Sequence, residues 1–258
     1  MIACTVTTAP RKECTLIECL ESLELAGLEP VVFAEPGSTK TDRPTVQNEN
    51  RLGVWFNWLQ SARWALESGA DTIYMFQDDM ITHPESVDLI NSITWPKDAG
   101  YVSLYTPKHY QFTKTRELRK KMYTIKTGSM WGATAMVFKR DVLKQLIDHP
   151  KCMDWCGCKP RTNPEGYKER RRAQPWTIQN SDYIIGLVLQ MYLRYKLYYF
   201  NPSPSYHCSR YSAIGHGGNS GRRNAYYIAY QDQPLHPQIF GKSYNFERNP
   251  DETTLRIE

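Results

Sequence analysis

The strict alternation of two hydrophobic periods at the start of this chain constrains its fold more than any other feature. "IACTVTT" is short, apolar and β-branched, a strand pattern, and "CTLIECLESLELAG" then repeats apolar residues at helical spacing until Gly27 stops it. "PVVFAEPGS" reads as a second strand ending in turn residues, "LGVWFNWLQSARWALESG" as a second helix ending at Gly69, and "DTIYMFQDD" as a third strand. Strands alternating with helices build a parallel α/β sheet, because each helix carries the chain back to the end where the previous strand began.

The same periods continue downstream. "ESVDLINSI" reads as a helix, "GYVSLY" and "ATAMVF" as strands, "RDVLKQLI" and "SDYIIGLVLQMYLRY" as helices, and "KLYYFNPSPS" as a last strand running into a loop. From about Tyr206 the chain is rich in Gly, Asn, Arg and Tyr with weak periodicity, which suggests an ordered tail or lid. With 258 residues, 41% hydrophobic and 23% charged, one substantial core is within reach. The expectation is therefore a single domain over residues 1–205 completed by a tail over 206–258, with no membrane span and no internal repeat. "MIACTVTTAPRKE" reads as strand and loop rather than as a leader, and seven scattered cysteines fit reduced thiols, so a cytoplasmic location is expected.

Ligands of an open parallel sheet bind beyond the C-terminal ends of its strands, and three polar clusters fall there: "TTAPR", "AEPGS" and "QDD". The first two combine hydroxyls, an arginine, a carboxylate and turn backbone, a set suited to a nucleotide; the third could carry a divalent cation bridging a diphosphate. Asp78 and Asp79 directly follow an apolar run, where a carboxylate pair is costly unless something positive sits beside it. Neither G-x-x-x-x-G-K-[ST] nor G-x-G-x-x-G occurs, so phosphates would need another counter-charge. A metal on Asp79, with Asp78 or Gln77 contacting the ribose or a metal-bound water, would supply it. The competing reading is that Asp79 or a neighbour caps the helix after Pro84.

Six segments, "TTAPRKECTLIECLESLELAG", "NRLGVWFNWLQSA", "YMFQDDM", "GSMWGATAMVFKRDVL", "NSDYIIGLVL" and "PSPSYHCSRYSAIGH", occur in an order and spacing that resembles the A-type nucleotide-sugar-dependent glycosyltransferases. The likeness is strongest to the small, soluble, family-2-like enzymes of bacteria and phages, and it extends to about residue 216. It implies a Rossmann-like glycosyltransferase A fold with a mainly parallel sheet, a donor half over 1–100 and an acceptor half over 101–205. It also implies metal-dependent transfer of a hexosyl or pentosyl group from a UDP-sugar to a hydroxyl.

Carried over by position, the resemblance places Thr8 and Arg11 near the uridine and diphosphate, Glu35 near the base or ribose, and Asn57 as a further donor contact. "QDD" stands where the family has its D-x-D metal motif, with Gln77 in the first acidic position. That makes Asp79 the metal ligand and leaves Gln77 or Asp78 for the ribose. The loop from Gly128 through Trp131 to Gly132 resembles the segment that closes over donor sugar and acceptor; taken alone, its glycines are turn residues before a strand. Asp182 resembles the acidic catalytic base, with Ser181 where the family has a Glu, whereas by spacing alone Asn180, Ser181 and Asp182 are helix-capping residues. His207 resembles the histidine that returns to the metal, with His216 in reserve; a lone loop histidine is otherwise a surface residue. Asp, His, phosphate oxygens and water suit Mn²⁺ or Mg²⁺, the single nitrogen favouring Mn²⁺.

A hydroxyl is a poor nucleophile when neutral, so transfer needs a carboxylate to remove its proton as the new bond forms, and a base in that role favours inversion. For the acceptor, a net charge of +5 and the run "YKERRRAQPW", with Lys168, Arg170, Arg171 and Arg172, permit a polyanionic partner, or else form a solvated loop. Together with the aromatic stretch "RRNAYYIAYQDQ", holding Tyr226, Tyr227 and Tyr230, and with the likeness to phage enzymes, this suggests DNA carrying hydroxymethylated bases as the acceptor. A surface glycan or a protein is the alternative acceptor. An inactive nucleotide- or nucleic-acid-binding module is the alternative of a different class, to which the departures at Gln77 and Ser181 point. "HPKCMDWCGC" brings His149, Cys152, Cys156 and Cys158 close in sequence, as a structural zinc site or as free thiols.

Overall fold

The computed structural model describes residues 1–12, 14–106, 122–128, 130, 132–155, 181–200 and 203–208, together with the backbone of 238–239, 242–245 and 256–257. The chain begins as the periods predict: β1 (Ile2–Thr8), α1 (Leu16–Leu25), β2 (Pro30–Ala34), a short β3 (Thr45–Gln47), α2 (Val54–Glu67) and β4 (Thr72–Gln77). It turns at once into β5 (Met80–Thr82) and continues through α3 (Ser86–Ser92), β6 (Ala99–Ser103), β7 (Met122–Thr124), β8 (Ala135–Lys139), α4 (Arg140–Ile147) and the single turn α5 (Pro150–Met153). Helix α6 (Ser181–Gly186) runs on as a π-helix over Leu187–Tyr192, followed by β9 (Lys196–Phe200) and β10 (Ser205–His207). In the expected tail, the backbones of β11 (Gln238–Ile239), β12 (Lys242–Asn245) and β13 (Arg256–Ile257) form a small sheet.

The central sheet has eight strands in the order β3-β2-β1-β4-β8-β6-β9-β7. Strands β3, β2, β1 and β4 are mutually parallel, as are β6 and β9. Two strands depart from the expected direction: β8 runs antiparallel between β4 and β6, and β7 antiparallel to β9. The reason for β8 is local. Among the described residues between β7 and β8 there is no helix; the chain enters β8 beside the end of β4, where the Gln77 N–H donates to Thr134 O at 2.8 Å, and runs back along β4.

Alternate residues of the central strands feed two cores, one on each face of the sheet. On β4, Ile73 and Met75 join Trp55, Trp58, Ala62, Phe138, Leu143 and Val188 on the face covered by α2, α4 and α6. Tyr74 and Phe76 join Val6, Leu16, Leu20, Leu23, Ile90 and Val137 on the face of α1 and α3. A sheet covered on both sides needs strands that are apolar throughout, which is why "IACTVTT" and "TIYMFQ" look continuous rather than alternating. The indoles of Trp55 and Trp58 stack at 5.4 Å, and burying each such ring contributes on the order of 2–3 kcal/mol.

Candidate functional site

Parallel pairing of β1 with β4 aligns Thr7 with Gln77, and the Asp78 N–H donates to Thr7 O at 3.1 Å, so "TTAPR" and "QDD" leave the sheet side by side. Both carboxylates are nearly sealed, Asp78 at 2% and Asp79 at 4% exposure. The hydroxyl of Thr8 donates to Asp78 Oδ2, and Arg11 donates to Asp78 Oδ1 while its other terminal nitrogen lies 2.9 Å from Asp79 Oδ2. A second base arrives from far along the chain. β10 pairs antiparallel with β5, setting His207 opposite Met80, and this brings His207 Nε2 to 2.9 Å from Asp79 Oδ2. Cys208 completes the join, its N–H donating to Asp79 O at 2.8 Å and its thiol reaching the same oxygen at 3.3 Å.

What the acids hold is therefore Arg11 and His207, and neither acid caps a helix: the N-cap of α3 is Glu85, with no side-chain cap bond. Burial alone would push the Asp79 carboxyl up, but the adjacent His207 and Arg11 outweigh it and hold Asp79 well below the usual carboxylate range. Asp78 is raised, by burial and by the charge of Asp79, against the pull of Arg11 and Thr8. Burial lowers His207, yet the Asp79 carboxylate prevails and raises it, so the imidazolium is favoured. Removing one partner from such a buried set strands the other and costs about 3–5 kcal/mol. Two atoms in the cluster have no hydrogen-bond partner: Asp79 Oδ1 and Arg11 Nε are both buried and unbonded.

The candidate donor contacts on the β2 side are turned inward. Glu35, 2% exposed, follows β2, and its carboxylate accepts the N–H of Leu52 at 2.9 Å and of Gly53 at 2.8 Å. Gly53 sits at φ 82°, a conformation that favours glycine, so the entry into α2 is shaped by that turn and anchored by Glu35. The side-chain amide of Asn57 donates to Phe33 O at 2.9 Å and accepts from Asn48 Nδ2 at 3.1 Å. Both side chains hold the β3–α2 connection onto the end of β2. Gln77, half-buried, closes β4 and receives the Cys19 thiol on its carbonyl at 3.6 Å.

Asp182 lies in the first turn of α6, but its carboxylate reaches across to the loop before β8. Oδ2 accepts the Gly132 N–H at 2.7 Å and Oδ1 the Ala133 N–H at 2.8 Å. Gly128 and Gly132 have φ of 76° and 79°, so both serve as turn residues. Tyr105, absent from the sequence reading, stands between the two acidic centres. It is buried, its ring centroid lies 6.5 Å from that of His207, and a Cβ at Gly132 would come within 2.9 Å of it. Burial, then the charges of Asp79 and Asp182, push its phenol well up. Nothing in "GYVSLY" marks Tyr105, because only the return of β10 and the loop at Gly132 bring partners to it.

Trp131, His216, Cys156, Cys158, the basic run Lys168, Arg170, Arg171 and Arg172, and Tyr226, Tyr227 and Tyr230 lie outside the described residues. Of the suggested zinc set, Cys152 is a buried free thiol and His149 caps α5, its ring accepting from the Lys151 N–H. Among the described residues, no cluster of three or more His, Cys, Asp or Glu side chains is placed to hold a metal, and no helix is long and apolar enough to cross a membrane.

No protein-family profile and no curated protein matches the chain. Solved structures align with it at low scores. The protein A197 from STIV aligns with a TM-score of 0.43 at 13% identity, over 80% of this chain and 84% of that one. The apo glycosyltransferase GlyE of Streptococcus pneumoniae aligns at 0.36 and 8%, over 67% and 43% of the two chains. A Drosophila beta-1,4-galactosyltransferase 7 mutant complexed with manganese, UDP-Gal and xylobiose aligns at 0.31 and 11%, over 56% and 52%. At these scores the chemistry has to be read from the site itself.

Proposed function

We propose that the protein is a glycosyltransferase that moves a sugar from a UDP-sugar to a hydroxyl acceptor at the strand ends of β1, β2 and β4. The observation that carries this reading is the buried Asp78–Asp79 pair at the C-terminal end of β4, with Arg11 and His207 converging on it and Asp79 Oδ1 left without a partner. A sealed acid pair whose basic partners enter from two distant segments is costly as a structural device and useful as a charge-matched cradle for a diphosphate and its counter-ion.

A divalent cation would be held by the unpartnered carboxylate oxygen of Asp79 and by His207 once the arriving cation displaces the imidazolium proton, with the donor's diphosphate and water completing its shell. Such a cation supplies neutralisation of the leaving diphosphate. Arg11, fixed between Asp78 and Asp79, presents a cationic edge toward the same group, and Thr8 orients Asp78 for a ribose contact. Asp182 takes the acceptor's proton. Its oxygens accept the Gly132 and Ala133 N–H groups, which orient the carboxylate for that role. Glu35 and Asn57 support the base-binding edge by holding the loop into α2 rather than by touching the donor.

The test is calorimetric and enzymatic. Wild-type protein is titrated with a panel of UDP-sugars with and without Mn²⁺, and UDP release is followed with candidate hydroxyl acceptors, including saccharides and hydroxymethylated DNA. Asp79→Ala should abolish the metal-dependent part of donor binding. Unchanged affinity in the variant would remove the metal assignment, and a wild type that neither binds nor turns over any UDP-sugar would remove the transferase reading.

A further inference from the structure

The loop that leads from β7 into β8 is held at both ends and at its middle by one side of one helix. At its start, Gln190 is 7% exposed, and its side-chain amide donates to Ile125 O at 3.2 Å while its carbonyl accepts the Gly128 N–H at 3.0 Å. At its end, Asp182 accepts the Gly132 and Ala133 N–H groups. Between them, Gly186 faces Met130 so closely that a Cβ there would sit 3.0 Å from Met130 Cβ and 3.2 Å from its sulfur. Asp182, Gly186 and Gln190 recur every four residues, which keeps them on one side of the helix.

The helix changes type within this stretch, running as a π-helix over Leu187–Tyr192, with the Leu193 N–H donating to Val188 O at 2.9 Å. Such a segment is less stable than continued α-helix, so its persistence calls for compensating contacts, and π segments concentrate at functional places. Here Gln190 lies within the π turn and makes two bonds to the loop. Two of the loop's described residues, Gly128 and Gly132, are glycines at positive φ. Its far end abuts the acid pair, through the bond from Gln77 N–H to Thr134 O and the packing of Tyr105 beneath Gly132.

We infer that the Asp182–Gly186–Gln190 side of this helix is a clasp that fixes the loop in one conformation beside the acid pair. Gln190 and Gly186 thereby act as positioning residues for sugar transfer, a role that rests on the transferase reading above. Neither residue reaches the acid pair; both act by setting where the loop's backbone stands relative to it and to Asp182. Misplacing a reacting group by about an ångström costs on the order of a hundredfold in rate, so a clasp remote from the chemistry can still govern it.

The experiment compares wild type, Gln190→Leu, Gln190→Glu and Gly186→Ala by hydrogen exchange, UDP calorimetry and steady-state transfer. Gln190→Leu removes both loop bonds, so the amides of the peptide spanning 122–134 should exchange about tenfold faster while those of β1 and β4 do not change. Affinity for UDP alone should stay within about twofold, whereas kcat for transfer should fall on the order of tenfold or more. Gln190→Glu keeps the acceptor for the Gly128 N–H and should recover part of both losses. Gly186→Ala adds one carbon against Met130 and should move exchange and kcat in the same direction, giving the same readout if Gln190→Leu does not fold. Unchanged exchange in Gln190→Leu or Gly186→Ala overturns the clasp. Faster exchange with unchanged kcat overturns the positioning role. A wild type that turns over no sugar removes the transferase reading and the positioning role with it, while exchange still decides the clasp.

Discussion

Replacing Glu35 by Gln separates a structural carboxylate from a ligand-binding one. The Glu35 side chain is buried and accepts two backbone N–H groups, from Leu52 at 2.9 Å and Gly53 at 2.8 Å, at the entrance to α2. Hydrogen bonds to a charged acceptor contribute about 1.5–3 kcal/mol each. A glutamine keeps one acceptor oxygen and turns an NH₂ toward the other N–H, so one bond is lost and one buried donor is left unsatisfied. Loss of negative charge near the start of α2 adds about 0.3–1 kcal/mol. The total is roughly 2–4 kcal/mol, which for a domain of this size lowers Tm by roughly 4–16 °C at about 2–4 °C per kcal/mol. Urea and thermal unfolding of Glu35→Gln should show that loss with an unchanged m-value, and UDP binding measured well below the variant's Tm should be retained. A variant as stable as wild type that has lost UDP affinity would refute the reasoning and return Glu35 to the base or ribose.

Three further outcomes are expected. Asp182→Asn should retain donor binding, since the amide keeps one oxygen for the loop, but lower transfer by a factor on the order of 10² to 10⁴; near-normal turnover measured by UDP release would reduce Asp182 to its loop-holding role. Gly132→Ala should cost about 2 kcal/mol or more in chemical denaturation, because φ is 79° there and the added Cβ would meet the Tyr105 ring at 2.9 Å; a neutral effect would mean the ring and loop yield freely. Alkylation followed by peptide mass spectrometry should label exposed Cys14 first and leave Cys4, Cys19 and Cys152 unreacted until unfolding, because burial raises the thiols of Cys4 and Cys19 and pushes that of Cys152 up to about 12; early labelling of Cys152 would contradict its packed position.

How much was legible in advance follows the range of the forces involved. The short apolar, β-branched runs "IACTVTT", "PVVFA" and "TIYMFQ" and the 3.6 period of "CTLIECLESLELAG" and "VWFNWLQSARWALE" are local signals, and they determine β1, α1, β2, α2 and β4, the parallel direction of those strands and the place where Asp78 and Asp79 emerge. Thr8 and Arg11 followed from the same logic, because adjacent parallel strands release their next residues at a common edge. β5 and β10, three residues each, are too short to show a period, yet their pairing is what delivers His207 to Asp79. The family resemblance pointed to that histidine, and no spacing did. The direction of β8 depended on where the chain re-enters the sheet, and Tyr105 drew its importance from neighbours that arrive later in the sequence. Glu35, Asn57, Asp182 and Gln190 show the sharpest division. Their residue types announce polar side chains near strand and helix ends, but a carboxylate or amide goes to whichever buried N–H or C=O would otherwise go unpaired, and only the packed tertiary structure decides which groups those are.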